Sequence, residues 1–175
     1  MTDERVLIRP ASAADEPEFL AAVERSFTFH HPWVQAPGTP QEYRDYLSKH
    51  EDSRGVAFCL WLEEPRALVG VVNLSEIVHG CFRSAYLGYY AFVPYAGRGL
   101  MKDGLAQVIT HAFKVMKLHR LEANIQPRNL RSKALVKTLG FRREGFSPRY
   151  LKINGRWRDH ERWAILCEDW RCPIC

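Results

Sequence analysis

A chain of 175 residues, 46% hydrophobic and 26% charged, has the composition of an ordinary globular domain, and its length suits one core rather than two. The formal charge of +5 favours anionic partners without naming one. No apolar run approaches the roughly 20 residues of a membrane span, and Asp3, Glu4 and Arg5 interrupt the start where a secretory signal would lie. Five cysteines, odd in number and scattered, suit a reducing compartment, so the expectation is a cytoplasmic protein made of one domain over residues 1–175.

Val6 to Pro10 is a short apolar run stopped by proline and predicts a first strand. Ser12 predicts a helix cap for a segment whose Phe19, Leu20, Val23 and Phe27 share one face. His30-His31-Pro32-Trp33 follows as loop. No Asp, Glu or Cys stands near its histidines to complete a ligand set, so no metal is expected there. Thr39-Pro40-Gln41-Glu42 is a capping box opening a second helix. Ala57–Leu62, Ala67–Leu74 and Phe82–Val93 are rich in β-branched and aromatic residues and predict an antiparallel meander.

Beyond Pro94 the period changes. Met101, Leu105, Val108, Ala112 and Met116 step by three and four along a helix. Leu121, Ala123 and Ile125 then alternate with polar residues as in a strand. Asn129 caps a further helix that Gly140 stops, and Asn154-Gly155 joins two closing strands as a hairpin. The order βααβββαβαββ predicts an α/β fold, a mixed and mostly antiparallel sheet with flanking helices. The terminal Cys172-Pro173-Ile174-Cys175 has zinc or redox spacing but lacks the other ligands or the helix start either needs, and is read as an incidental tail.

The chemistry concentrates in Val93-Pro94-Tyr95-Ala96-Gly97-Arg98-Gly99-Leu100-Met101, a strand end, a glycine turn and a helix start. Glycines let the backbone approach an anion, and the unsatisfied N–H groups of the helix start add a positive dipole end, which suits a pyrophosphate. No Gly-Lys-Ser/Thr follows to make a Walker loop, and no third glycine makes a dinucleotide turn.

Some thirty residues on stand Asn129-Leu130-Arg131-Ser132, then Gly140-Phe141 and Glu144-Gly145, a series that resembles the acetyl-CoA half of the GNAT superfamily of N-acetyltransferases. The hairpin Tyr150 to His160, with Val71-Val72-Asn73-Leu74 and Tyr86-Leu87-Gly88-Tyr89, is similar to the RimJ-like branch that acetylates ribosomal-protein alanine. The likeness covers roughly residues 67–170 and reaches the first third only loosely through Pro32-Trp33. Ala96 departs from the Gln or Arg usual there, which puts some cofactor affinity in doubt.

The resemblance implies acetyl-CoA held by Gly97, Arg98, Gly99, Leu100 and Met101, by Asn124 and Asn129, and by a gap between strands where a backbone donor near Phe92 or Val93 meets the thioester oxygen. Asn129 is also a plain cap, and Asn124 equally a sheet-edge residue. Ser132 is the candidate general acid for the leaving thiolate, against a helix-start hydroxyl that only caps. Glu76, Tyr89 and Glu122 are candidate bases, each with a structural role as the blander alternative. Trp33 and Tyr89 are placed at the acceptor.

The expected acceptor is a protein N-terminus, that of a ribosomal protein included, on a monomer or homodimer with neither membrane contact nor direct nucleic-acid readout. Alternatives are a small-molecule amine or aminoglycoside acetyltransferase, or a non-catalytic acyl-CoA-binding module.

Overall fold

A computed structural model of the chain describes residues 5–174, so Asp3, Glu4 and Cys175 lie outside the described residues. Its elements are β1 (Val6–Pro10), α1 (Glu16–His30), α2 (Pro40–Ser48), β2 (Val56–Leu62), β3 (Ala67–Val78), β4 (Ser84–Ala91), α3 (Leu100–Lys114), β5 (Arg120–Ile125), α4 (Leu130–Thr138), β6 (Arg142–Ile153) and β7 (Arg156–Leu166). The strands form one sheet in the order β1-β2-β3-β4-β5-β7-β6, antiparallel throughout except at β4–β5.

This is the element order read from the pattern, with three local differences. Ser12 opens a 3-10 turn over Ala13–Asp15 rather than α1 itself. Helix α1 runs through His30, which is therefore helical and buried rather than loop. Strand β6 begins at Arg142, far ahead of Tyr150, because the register slips at Arg143/Gly145 and Ser147/Leu151 and breaks the alternation a strand would show.

The sheet separates two cores. On one face α3 packs Leu105, Val108, Ile109 and Ala112 against Leu60, Val72, Leu87 and Leu121, each worth about 1.5–3 kcal/mol on burial. Gly104 permits this close approach, since a Cβ there would run into the Leu60 side chain. On the other face α1 and α2 bring Phe19, Ala22, Tyr43 and Tyr46 onto Cys59, Val71 and Phe92. Both buried phenols find acceptors: Tyr43 donates to the Ser12 carbonyl at 2.9 Å and Tyr46 to Asn73 Oδ1 at 2.5 Å. No helix among the described residues is long and apolar enough to cross a membrane.

Candidate active site

The parallel strands β4 and β5 pair at only three positions, Ser84–Arg120, Ala85–Leu121 and Tyr86–Glu122. Beyond Tyr86, β4 continues to Ala91 held by β3 alone, and β5 continues to Ile125 held by β7 alone. The sheet therefore opens as a wedge toward the carboxyl ends of both strands, where helices α3 and α4 begin.

Ladder phase decides which amides face this wedge. Phe92 N–H donates to the Val69 carbonyl at 2.9 Å, so in the unbroken register from Gly70–Ala91 onward Tyr90 and Gly88 also point at β3. The amides of Ala91 and Tyr89 consequently point into the opening. Val93 N–H is bonded to Ser26 Oγ at 3.0 Å. The amides of Phe92 and Val93, expected to meet a thioester oxygen, are therefore already engaged, and Phe92 is fully buried in the core under α1.

At the head of α3, Gly97 and Gly99 both have positive φ, +83° and +87°, and Gly99 is the helix cap. A side chain at either would meet nothing within 4 Å, so the turn is an open backbone cradle that a Cβ would begin to fill. Leu100 is buried and Met101 packs beside Gly70, pinning the first helical turn to the sheet while its N–H groups face outward. Arg98 lies over the Tyr95 ring at 5.7 Å from its centroid. Ala96 adds no side-chain donor, but its N–H bonds the Phe92 carbonyl at 3.0 Å and shapes the turn. This cradle of glycines at a helix start fits a pyrophosphate such as that of coenzyme A.

On the same face of the sheet, Asn129 caps α4 by accepting from Ser132 N–H at 3.2 Å. The Ser132 hydroxyl lies 2.6 Å from the phenol of Tyr89, which also reaches the Ser132 carbonyl at 3.2 Å. Burial pushes the Tyr89 phenol pKa well up, against the opposing bond from Ser132, so Tyr89 keeps its proton near neutral pH. Tyr89 therefore stands with Ser132 on the α3/α4 face of the sheet. Glu161, a buried carboxylate on β7 that alternation did not single out, holds α4 through Lys133 at 3.3 Å and accepts from Trp163 Nε1 at 3.2 Å.

The α1/α2 face of the wedge is polar and underfilled. Asn124 Oδ1 is buried without a hydrogen-bond partner, as are the Nε atoms of Arg162, its neighbour across β5–β7, and of Arg158, four residues along the same face. The Tyr90 hydroxyl on β4 is likewise unpartnered. His160, between the two arginines, is buried and its pKa is lowered by burial, with Nδ1 2.9 Å from the Arg158 carbonyl.

Two cavities adjoin this face. One, about 130 Å³, lies between the end of α1, the following loop and the hairpin tip at Asn154. Its walls include His31 and Val34, whereas Trp33 between them is half-buried and outside the wall. The other, about 240 Å³, lies at the closed end of the wedge and brings Glu76 and Glu122 together with Tyr86 and Phe82. Glu122 is already held by Arg120 Nε at 2.8 Å, while Glu76 is exposed.

Residues 5–142 match the family model described as the acetyltransferase (GNAT) domain. The chain is 37% identical over 121 residues to the [ribosomal protein uS5]-alanine N-acetyltransferase of Escherichia coli, covering 69% of this chain and 62% of that relative, so less than two thirds of its length is matched. A ribosomal-protein-S5-alanine acetyltransferase from Vibrio fischeri superposes with a TM-score of 0.85 at 27% identity over 98% of each chain. Mycobacterium smegmatis RimJ in complex with CoA-disulfide gives 0.85 at 29% identity, over 93% of this chain and 82% of that one.

Proposed function

The chain belongs to the GNAT family and is an acetyltransferase using acetyl-CoA, and on that premise we propose that its acceptor is the N-terminal amine of a protein, with a ribosomal protein as the leading substrate. The observation that carries the acceptor class is the set of unpartnered buried groups on the α1/α2 face, Arg158 Nε, Arg162 Nε and Asn124 Oδ1. A peptide terminus offers carbonyls to the two donors and N–H groups to the acceptor. A polyamine offers only cations, which two guanidinium groups repel. Acting on a ribosomal protein places the enzyme in the cytoplasm.

Acetyl-CoA supplies an acetyl thioester, and the chain's own residues do the rest. The glycine turn and the α3 start hold phosphate, with Arg98 beside it. The inward amides of Ala91 and Tyr89 are preorganised donors for the carbonyl oxygen as it gains charge. Ser132 gives a proton to the departing sulfur and regains one from water, while the Tyr89 phenol, 2.6 Å from Ser132 Oγ, holds the hydroxyl in place.

The amine side asks less of the protein. An α-amine has a reference pKa of about 8 against about 10.4 for lysine, so near neutral pH roughly a tenth is already uncharged. Ordered water at the polar face suffices as proton acceptor, which is why Glu122 can remain paired with Arg120.

Purified protein is mixed with acetyl-CoA and either peptides beginning with Ala or Ser or with spermidine, and free thiol is followed. Release with the peptides, with acetyl located on the α-amine by mass spectrometry, supports the proposal. Release with spermidine alone overturns the acceptor. Binding of coenzyme A without release from any amine overturns the enzyme in favour of a binding module.

A further inference from the structure

Away from the wedge, at the opposite end of β5, three chemically different ligand groups converge. His119 precedes β5, and Cys167 and Glu168 follow β7; one ligand atom of each lies within 4.8 Å of the others. His119 Nε2 is 3.1 Å from Glu168 Oε1, and Cys167 Sγ is 3.1 Å from Glu168 Oε2. We propose that these three residues bind a divalent cation of borderline softness, zinc(II) first among them, with water in the remaining position.

Imidazole, thiolate and carboxylate are the donor set zinc takes, and bonds of about 2.0–2.3 Å in a tetrahedron put neighbouring donors about 3.3–3.8 Å apart. The observed separations require small side-chain movements and no change of backbone. The backbone is fixed: Cys167 N–H donates to the His119 carbonyl at 2.9 Å, and His119 N–H to the Arg83 carbonyl at 2.6 Å. Behind Cys167, buried Trp170 is anchored through Nε1 to Thr110 Oγ1 at 3.0 Å. A thiolate and a carboxylate balance the charge of a divalent ion, with Arg171 turned to the Glu168 carbonyl rather than to its carboxylate. Solvent reaches the open position, since the Glu168 side chain is 64% exposed.

A nucleophilic cysteine is the competing use of these residues, and the geometry opposes it. The carboxylate lies between thiol and imidazole, so the histidine cannot take the thiol proton directly. Burial also raises the Cys167 pKa, assisted by Glu168, the reverse of what an activated thiol requires. The site lies about 20 Å from the open end of β5, counting about 3.3 Å per residue from His119 to Ile125, so it staples the β5 and β7 ends without touching acetyl transfer.

The full chain, stripped with chelator and kept reduced, is titrated with cobalt(II) and then zinc(II). One equivalent of cobalt should produce a thiolate-to-metal charge-transfer band and visible bands of tetrahedral strength, both bleached by one equivalent of zinc. Cys167→Ser should abolish the charge-transfer band, and Glu168→Gln, exposed enough not to disturb folding, should weaken binding at least tenfold. A Cys172→Ser/Cys175→Ser double variant should bind as the parent does. Absence of a stoichiometric band, parent-like binding by Glu168→Gln, a band surviving Cys167→Ser, or its loss in the tail variant would each overturn the site.

Discussion

The phenol of Tyr89, on a strand, and the hydroxyl of Ser132, on a helix forty-three residues later, meet at 2.6 Å on one side of the wedge. Whenever the phenol donates to the serine, the serine's own proton turns outward, which is what a departing thiolate needs. Ser132→Ala should lower kcat on the order of a hundredfold, with KM for acetyl-CoA changed less than about threefold. Tyr89→Phe should cost about tenfold or less, because water can donate to Ser132 in its place. Steady-state kinetics at saturating peptide check both; an unchanged kcat in Ser132→Ala removes the serine from proton transfer.

Gly99 sits at φ +87°, a conformation costing an L-residue about 1–2 kcal/mol, with nothing within 4 Å of an added Cβ. Gly99→Ala should therefore lower Tm by about 2–8 °C through backbone strain alone, taking about 2–4 °C per kcal/mol at this length. The methyl also enters the anion cradle, so KM for acetyl-CoA should rise about tenfold or more while kcat at saturation holds. Thermal denaturation and a cofactor titration separate the two effects. A lowered Tm with unchanged cofactor KM would remove this turn from phosphate binding.

What could be read from the chain was what lies close together in it. The glycine turn and the Asn129–Ser132 cap are each a few consecutive residues, and capping and turn chemistry are local, so both stand in the structure as the pattern suggested. Which amides of β4 are free is not legible in the chain, because alternate amides face opposite neighbours and only the pairing of Phe92 with Val69 fixes the phase. The buried, unpartnered Nε atoms of Arg158 and Arg162 are not legible in the chain, since burial on β7 depends on the register with β5 and on a bulged edge strand. The ring of Trp33 suggests a pocket wall, yet the cavity beside it is walled by its neighbours His31 and Val34.

His30 Nε2 donates to the Ala91 carbonyl at 2.8 Å, at the end of β4. Burial lowers its pKa below the ordinary value near 6.5, and the bond to Ala91 offsets this only in part. The unfolded chain then binds more protons than the native one once pH falls below about 6.5, so stability is full above that pH and declines as pH drops toward the native pKa. His160 shifts in the same direction for the same reason. Tm should thus fall between pH 7 and pH 5. His30→Gln, whose amide can still donate to Ala91, should flatten that decline and leave the His160 share. A His30→Gln profile parallel to that of the parent would show that His30 does not couple folding to pH in this range.

Arg162 and Gly145 face each other across β6–β7, and a Cβ at Gly145 would run into the guanidinium. Gly145 does not have positive φ, so Gly145→Ala carries little backbone strain and acts by pushing Arg162 from its place. If Arg162 binds a peptide carbonyl, Gly145→Ala and Arg162→Gln should converge on one phenotype. KM for an Ala-starting peptide should rise about tenfold, the worth of one charge-assisted hydrogen bond of about 1.5 kcal/mol, with KM for acetyl-CoA unchanged. In Arg162→Gln alone, removing the cation should also improve use of spermidine, because a repulsive charge has been taken from the acceptor face. Parallel kinetics of both variants with the two acceptors test this, and a rise in KM for acetyl-CoA instead would place Arg162 on the cofactor side of the wedge.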